Sequence, residues 1–204
     1  MLLEKVIGNN FVHKLRAICL LEADFNWLNK IIYAKRMIGS ALENNLIPGE
    51  CFSKKGSNCI NAVMTKIFIC DESQIHHHDA CIAGNDFGDC YDRAAHPIAA
   101  LSLRCHGVPQ PAINVLLGTM ETMRFFLRTG FGESKRTYGG SHEERLAGFG
   151  QGNAAAGPGF TAMSSLIVNA YLRDGFGAQI YSSYYKHLLL LAAVMYVDDT
   201  DLIH

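Results

Sequence analysis

The stretch that decides the predicted fold is Met195–His204, with the sequence MYVDDTDLIH. Two short apolar runs that favour β structure flank Asp198 and Asp199, so the pattern predicts a β-hairpin with both carboxylates at its turn. The neighbouring carboxylates repel each other, and a divalent cation bound through oxygen ligands would remove that repulsion. The alternative is an acidic turn that only faces water, as charged turn residues usually do.

Length and composition indicate a globular protein. The chain has 204 residues, of which 49% are apolar and 18% are charged, so it can bury one sizeable core or somewhat more. Its formal net charge is −1, whereas a protein that binds duplex nucleic acid is normally basic over the contact surface. Either the basic residues cluster on one surface, or the main contacts to nucleic acid lie outside this chain.

The cysteines favour an intracellular protein. They number seven and none forms a C-x-x-C pair, so we expect reduced, mostly buried thiols and no disulfide framework. The N-terminal stretch is interrupted by charged and polar residues and lacks the apolar core of a signal peptide. The apolar run 188–197 is too short to span a bilayer, and we predict a buried central strand there.

Hydrophobic periodicity predicts an α+β fold. One long amphipathic helix is expected over residues 22–45, and another runs from 111 towards 127. Residues 80–87 have the pattern of a strand that ends on Asp86. Together with the remaining helical and hairpin patterns, this order predicts one antiparallel sheet with helices packed behind it.

The positions of three carboxylates suggest metal-assisted chemistry. Asp86 ends one predicted strand, and Asp198 and Asp199 lie in a hairpin more than a hundred positions later. In a small sheet the two strands can be neighbours, which would bring the three side chains together. Three converging carboxylates can hold two Mg²⁺ ions for in-line displacement at phosphorus. The chain shows neither a nucleophile elbow nor a phosphate-binding P-loop that would indicate another chemistry.

Four segments resemble the motifs of reverse transcriptases, in the order found in that family. Asp86–Tyr91 (DFGDCY) resembles the first palm motif, and Tyr196–Asp199 (YVDD) resembles the Tyr-x-Asp-Asp motif. Gly150–Asn153 (GQGN), with Pro158 downstream, resembles the glycine-bearing motif between them. His13–Ile18 (HKLRAI), followed by a long helix, is similar to the finger segment of the non-LTR retrotransposon and group II intron branch.

The resemblance covers roughly residues 13–204 and implies a truncated RNA-directed DNA polymerase. Residues 1–79 would form a fingers-like helical segment and residues 80–204 a partial palm, with the thumb missing after the Tyr-x-Asp-Asp motif. The implied reaction is transfer of a dNTP to a primer 3′-hydroxyl with two Mg²⁺ ions, or Mn²⁺ in their place. The implied partners are an RNA template and a DNA primer, with no membrane.

Carried over to this sequence, the resemblance implies a catalytic centre built from carboxylates. Asp86, Asp198 and Asp199 would be the catalytic metal ligands, and the carbonyl oxygen of Phe87 would be a further ligand. Asp89 and Asp92 match no metal ligand of the family, and we expect them to face solvent or cap a helix.

The resemblance also implies a set of substrate-binding residues. Tyr91 would lie under the sugar of the incoming nucleotide and select against a 2′-hydroxyl. Gln151 and Gly152 would let the backbone approach the templating pair, and Lys14 and Arg16 would contact the triphosphate. Each has a plainer alternative: a core aromatic for Tyr91, a glycine-rich loop around Gln151, and a solvated strand face for the two basic residues.

Two other functions compete with the polymerase. A decayed, non-catalytic remnant that at most binds nucleic acid would account for the missing thumb and for one additional residue between Gln151 and Pro158. An RNA-dependent RNA polymerase is the other, although Tyr91 and the Tyr196–Val197 pair before the two aspartates argue against it.

Overall fold

The computed structural model describes residues 2–4, 8, 11, 15–141, 143, 145–182 and 186–204. It has a mixed α+β fold in which the sheets are small and antiparallel. The chain divides into two compact units: the first comprises Met1–Ala41 and Asp89–Phe160, and the second comprises Leu42–Gly88 and Thr161–His204. The predicted boundary at residues 79 and 80 lies inside the second unit, and the assignment of fingers and palm to those segments stays a prediction.

The helices and strands follow one another along the chain in a mixed order. They are β1 (Leu2–Glu4), β2 (Leu15–Ala17), α1 (Ala23–Asn29), a π-helical segment (Lys30–Met37), α2 (Ile38–Glu43), α3 (Cys59–His76), β3 (Ile82–Asp86), α4 (His96–Cys105), α5 (Gln110–Thr122), β4 (Arg124–Thr129), β5 (Gly132–Gly139), α6 (Ala156–Arg173), β6 (Ala178–Ser182), β7 (His187–Leu191), β8 (Ala193–Tyr196) and β9 (Asp199–Ile203). The long helix predicted over residues 22–45 is confirmed, with a π-helical centre that periodicity did not reveal.

The π-helical segment explains which side chains of this helix are buried. Asn29, Tyr33, Met37 and Ala41 are all buried and are spaced by four residues. In an α-helix each step of four residues rotates the side chain by roughly 40° beyond a full turn, so such a repeat would leave the core. The wider turn of a π-helix, with its i→i+5 hydrogen bonds, offsets part of that rotation. Tyr33 also donates from its hydroxyl to the Ala112 carbonyl at 2.8 Å.

The helix predicted to run towards residue 127 ends at Thr122 in the structure. Met123 adopts an extended conformation with ψ of 139°, and Arg124–Thr129 forms strand β4 instead. Its partner β5 pairs with it antiparallel, with a register shift between Phe126 and Arg128. Aromatic and β-branched residues favour a strand here, although their apolar pattern continues that of the helix.

In the second unit, a three-stranded antiparallel sheet with the order β3-β9-β8 packs on α3. Ala62 and Ile69 of α3 are buried against Val194 and Ile203 of the sheet, and Phe52 packs on the same cluster. The outer edge of β8 is covered by the segment around Cys51, since Phe52 N donates to the Met195 carbonyl at 2.8 Å and Met195 N to the Glu50 carbonyl at 2.9 Å. Backbone hydrogen bonds therefore hold β8 along both of its edges.

Two expectations about the sheet are corrected by the structure. The run 188–197 is not one buried central strand, because it breaks at Ala192 into β7, which pairs with β6, and β8, which pairs with β9. The first three residues of β7 are exposed. The strands also form several small sheets within the described residues, not one continuous sheet.

The cysteines are free, but they are less buried than predicted. Cys51 and Cys90 are buried and Cys19 is half-buried, whereas the other four are exposed. Burial raises the pKa of the Cys51 thiol to about 11. In the part of the chain that the structure describes, we find no helix with the length and apolar character needed to cross a membrane.

Candidate functional site

Backbone pairing brings the three predicted carboxylates to one end of the second unit's sheet. Strand β3 pairs antiparallel with β9, and Asp86 lies directly opposite Asp199. Strands β8 and β9 form the predicted hairpin, with Tyr196 opposite Asp199 and with Val197 and Asp198 as the two connecting residues. Asp199 is thus the first residue of β9 and does not lie at the turn itself. We call Asp86, Asp198 and Asp199 the carboxylate edge.

The turn of this hairpin has an uncommon backbone conformation. Val197 has φ of 57°, in the left-handed region that a β-branched residue rarely adopts. The turn is tied to the end of β3, because Phe87 N donates to the Asp198 carbonyl at 3.1 Å. The neighbouring backbone therefore holds Asp198 beside β3 in spite of the strain at Val197.

The carboxylate edge is accessible, and none of its three carboxylates forms an ion pair with another residue that the structure describes. Asp86 and Asp199 are exposed and Asp198 is half-buried. Like charges directly opposite each other on neighbouring strands destabilise the pair, and hard oxygen ligands are those that Mg²⁺ prefers. The donor set therefore fits the predicted metal. However, among the described residues no three His, Cys, Asp or Glu side chains converge closely enough to form a metal-binding group.

A fourth aspartate in the same hairpin is neutralised by a lysine that sequence reasoning did not identify. Lys66 Nζ of α3 lies 2.7 Å from Asp201 Oδ2, with side-chain exposures of 39% and 19%. Because alternate residues of a strand share a face, Asp201 lies on the same face of β9 as Asp199. On that strand face Asp201 is paired with Lys66, whereas Asp199 forms no ion pair within the described part of the chain.

The predicted substrate-binding residues that the structure describes lie in the first unit. There, the segment 148–153, which we call the glycine loop, is held by hydrogen bonds to other segments of the chain. Phe149 N donates to the Tyr91 carbonyl at 2.8 Å, and Cys19 N donates to the Gln151 carbonyl at 2.7 Å. Gln151 N donates to Asp92 Oδ1 at 3.1 Å. We had expected Asp92 to face solvent or to cap a helix. It is instead half-buried and accepts this hydrogen bond. It fixes the glycine loop.

Hydrogen bonds of three asparagines hold the C-terminal end of the glycine loop. Asn26 of α1 accepts from Ala154 N at 2.7 Å and donates to the Gly152 carbonyl at 3.4 Å. Asn29, also of α1, donates to Asn153 Oδ1 at 3.0 Å, and Asn153 Nδ2 donates to the Phe149 carbonyl at 3.0 Å. Asn26 and Asn29 lie three positions apart on one helix face, a polar spacing that is visible in the sequence but that we had not used.

Gly152 is required by the chain's own backbone. It has φ of 105°, and a Cβ at this position would collide with the carbonyl oxygen of Cys19. This close approach and the left-handed conformation exclude other residue types without strain. The structure thus gives a structural reason for the glycine, beside the predicted approach to a templating pair.

A half-buried histidine holds the start of the glycine loop. His96 Nδ1 lies 2.7 Å from Glu121 Oε1, and its Nε2 lies 3.1 Å from the Gly148 carbonyl oxygen. Both partners are acceptors, so the ring satisfies both when each nitrogen carries a proton. Arg145 Nη1 lies 3.9 Å from Glu121 Oε2. This cluster connects α4, α5 and the glycine loop, and sequence reasoning did not identify it.

The remaining predicted residues have simpler surroundings. The Tyr91 ring is half-buried and packs edge-on against Phe160, with 6.0 Å between ring centroids. Arg16 is exposed on β2, opposite Leu3 of β1. Lys14 lies outside the described residues. The predicted site residues are therefore divided, with the carboxylate edge and Phe87 in the second unit and the described substrate-binding residues in the first.

Comparisons with known proteins connect the chain to part of telomerase. No family model and no curated protein match the sequence. Among solved structures it is similar to apo telomerase from Candida tropicalis truncated from its C-terminal domain, with TM-score 0.55, 12% identity, and coverage of 88% of this chain and 34% of that chain. It also matches telomerase from Candida albicans in complex with a TWJ fragment of telomeric RNA, with TM-score 0.45, 13% identity, and coverage of 86% and 29%.

The match to the Candida tropicalis structure shows a shared fold. The chain spans about a third of the length of the Candida tropicalis telomerase chain. The identity is too low to carry more than the architecture across. The chain has a mixed α+β fold, with small antiparallel sheets, that resembles part of telomerase.

Proposed function

We propose that the chain is a fingers-and-palm segment of a reverse transcriptase and that its carboxylate edge catalyses nucleotidyl transfer. The observation that carries this proposal is the register that places Asp86 opposite Asp199, with Asp198 at the adjoining turn. The shared fold agrees with it, because telomerase is a reverse transcriptase. The proposed substrates are a dNTP, an RNA template and a DNA primer.

The chain's own residues would have distinct roles in this reaction. Asp86, Asp198 and Asp199 would bind two Mg²⁺ ions, or Mn²⁺, and the Phe87 carbonyl would supply a further oxygen. Bound at this edge, the metals would activate the primer 3′-hydroxyl and stabilise the leaving pyrophosphate. The carboxylate side chains must rotate to converge, since no three of them do so among the described residues.

Residues outside the carboxylate edge would supply the contacts to substrate. Tyr91, whose ring is only half-buried, would lie beneath the sugar and select deoxynucleotides. Gln151 and Gly152 would present the rigidly held backbone of the glycine loop to the templating base pair. Lys14 and Arg16 would bind the triphosphate, for which the guanidinium group is suited by its forked geometry.

Metal binding tests the carboxylate edge directly. We expect Mn²⁺ affinity, measured by titration calorimetry and by electron paramagnetic resonance, to fall roughly tenfold or more in Asp86→Asn and Asp198→Asn, because ligand charge sets the affinity of such sites. Asp174→Asn is the matched control, since its carboxylate is 54% exposed and contacts Arg173. Equal affinity in all four proteins would contradict the proposal.

Primer extension tests the reaction itself. With an RNA template and a DNA primer, we expect incorporation of dNTPs in preference to NTPs, and Tyr91→Ala should reduce that preference. A reversed preference would favour an RNA-dependent RNA polymerase.

A non-catalytic remnant is the second candidate function. Two observations favour it: no three metal-ligating side chains converge in the described part of the chain, and the structure explains Gly152 without any template. A remnant would bind Mn²⁺ with an affinity that does not depend on Asp86 or Asp198, so the same titration separates the two candidates.

A further inference from the structure

The hairpin Arg124–Gly139, which we call the basic hairpin, differs in charge from the rest of the protein. Its sequence is RFFLRTGFGESKRTYG, with four basic residues and one acidic residue, which gives a formal net charge of +3. The whole chain has a net charge of −1. Basic residues therefore cluster on this segment, which contains none of the predicted site residues.

The basic hairpin also exposes its aromatic side chains. Phe126 is 56% exposed and Phe131, at the loop, is fully exposed. Phe125 and Tyr138 lie opposite each other on the two strands and are 37% and 38% exposed. All six residues of β4 are exposed, although β1 contacts this strand. A two-stranded ribbon with this much exposed apolar surface is at best marginally stable in water, which indicates a surface made for a partner.

The hairpin is ordered internally in spite of its exposure. The Ser134 hydroxyl accepts from Leu127 N at 3.0 Å and donates to the Arg136 carbonyl at 2.7 Å, and so bridges the strands where their register shifts. The Arg136 guanidinium lies 5.9 Å from the centroid of the Tyr138 ring, within the range of a cation–π contact. An aromatic face and a positive charge are thus presented side by side.

We propose that the basic hairpin binds single-stranded nucleic acid. Unpaired bases stack on exposed aromatic rings and on guanidinium planes, while Arg and Lys contact the phosphates, and this combination is typical of surfaces that bind single strands. Phe125, Phe126, Phe131 and Tyr138 supply the rings. Arg124, Arg128, Lys135 and Arg136 supply the charge, with Arg128 Nη1 3.7 Å from the single acidic side chain, Glu133.

The charge and the rings together distinguish this partner from others. A duplex keeps its bases stacked and would leave the exposed phenylalanines unused. A second copy of this chain would place one +3 hairpin against another, which like-charge repulsion opposes. An apolar protein surface would not need four cations. Single-stranded RNA and single-stranded DNA share the chemistry that fits, namely unpaired bases on a phosphate backbone.

Binding to the basic hairpin is separable from the proposed polymerase reaction, because no residue of the hairpin belongs to the carboxylate edge. The experiment uses the full 204-residue chain in EDTA, with fluorescence anisotropy of labelled 12-nucleotide oligo(U) and oligo(dT). The double variant Asp86→Asn/Asp198→Asn should bind as the unmodified protein does. Loss of metal binding would then leave this proposal intact, and the reverse also holds.

Two hairpin variants should fail in different ways. Arg124→Gln/Arg136→Gln should lower the slope of log affinity against log salt by about 1.4, since each lost phosphate contact to a single strand removes about 0.7. Phe126→Ala/Phe131→Ala should weaken binding about tenfold or more with the slope unchanged, because stacking does not release counterions. Arg173→Gln and Leu101→Ala are the matched controls, as both side chains are exposed elsewhere.

Several outcomes would overturn the proposal. One is equal weakening by the hairpin variants and their controls, and another is competition by inorganic polyphosphate as strong as that by oligo(U), which would show that bases contribute nothing. A third is a fall in molar mass by light scattering in the Phe variant with no change in oligonucleotide affinity, which would identify a second copy as the partner. Circular dichroism and thermal unfolding confirm that each variant is folded, and binding of either RNA or DNA supports the proposal.

Discussion

The carboxylate edge and the glycine loop are held in place by different means. At the carboxylate edge, backbone ladders set the register and the side chains of Asp86 and Asp199 extend into solvent. In the glycine loop, side chains such as those of Asp92 and Asn153 hold the backbone through hydrogen bonds. The edge therefore tolerates changes of its functional side chains, whereas the loop depends on individual residues. The predictions below test this difference, from the largest expected effect to the smallest.

Gly152→Ala should have the largest effect on stability. The added Cβ would collide with the Cys19 carbonyl, and φ of 105° is strained for alanine, so we expect a loss of about 4 kcal/mol in the free energy of unfolding. Urea denaturation measures it. Gly157→Ala is the control, because its Cβ would meet nothing within 4 Å and helix propensity should make it neutral or stabilising. A loss below 1 kcal/mol for Gly152→Ala would show that the loop can shift.

Cys51 should make the second unit's sheet sensitive to alkaline pH. Burial raises its pKa in the folded state from 9.0 to about 11, so the unfolded chain ionises first as the pH rises. The contribution of the neutral Cys51 thiol to stability is therefore fully present below pH 9 and is lost as the pH rises through 11. The loss should be about 2 to 3 kcal/mol. We expect Cys51→Ala to reduce the fall in the free energy of unfolding between pH 8.5 and 11 by that amount. Identical pH profiles for the two proteins would exclude this contribution.

Asn153→Ala should destabilise the first unit by about 2 kcal/mol, because Asn29 and the Phe149 carbonyl would lose buried hydrogen-bond partners. The control is Asn114→Ala, which removes an exposed hydrogen bond with Gln110 and should cost only a few tenths of a kcal/mol. Chemical denaturation of both variants gives the difference. If the two changes cost the same, side-chain clamping of the glycine loop is not what stabilises it.

Val197→Asn should show the smallest effect, with the opposite sign. Asparagine adopts φ near 57° more readily than valine, so we expect a gain of about 1 kcal/mol in the free energy of unfolding. The matched change Val115→Asn, on the exposed face of α5, should give no gain. A destabilised Val197→Asn would mean that valine packing outweighs the backbone strain.

Sequence reasoning succeeded for the carboxylate edge because its signals are local. Two short apolar runs that flank a pair of aspartates predict a hairpin, and that hairpin is present, with Asp199 one position past its turn. The strand that ends on Asp86 was marked by its own apolar pattern. The two strands could be neighbours in a small sheet, and β3 does pair with β9.

The glycine loop could not be predicted in the same way, because its contacts join residues far apart in sequence. Asn29 and Asn153 are more than a hundred positions apart, and Asp92 and Gln151 are 59 apart. A polar side chain in a sequence does not indicate which distant backbone amide it will meet. Likewise the break at Ala192 lies within a continuous apolar run, and the apolar pattern of α5 continues past its end at Thr122. Periodicity cannot separate strand from helix there.

The four-residue spacing of buried side chains along the π-helical segment ties this helix to an exact residue count. If Lys30–Met37 had ordinary α-helical turns and kept its eight residues, each step of four residues would carry the next side chain roughly 40° past a full turn. Met37 and Ala41 would then leave the interior, while Asn26 and Asn29 would keep their places beside the glycine loop. Removal of one residue together with the π-helical turns would offset much of that rotation, so the core depends on residue number and helix pitch together.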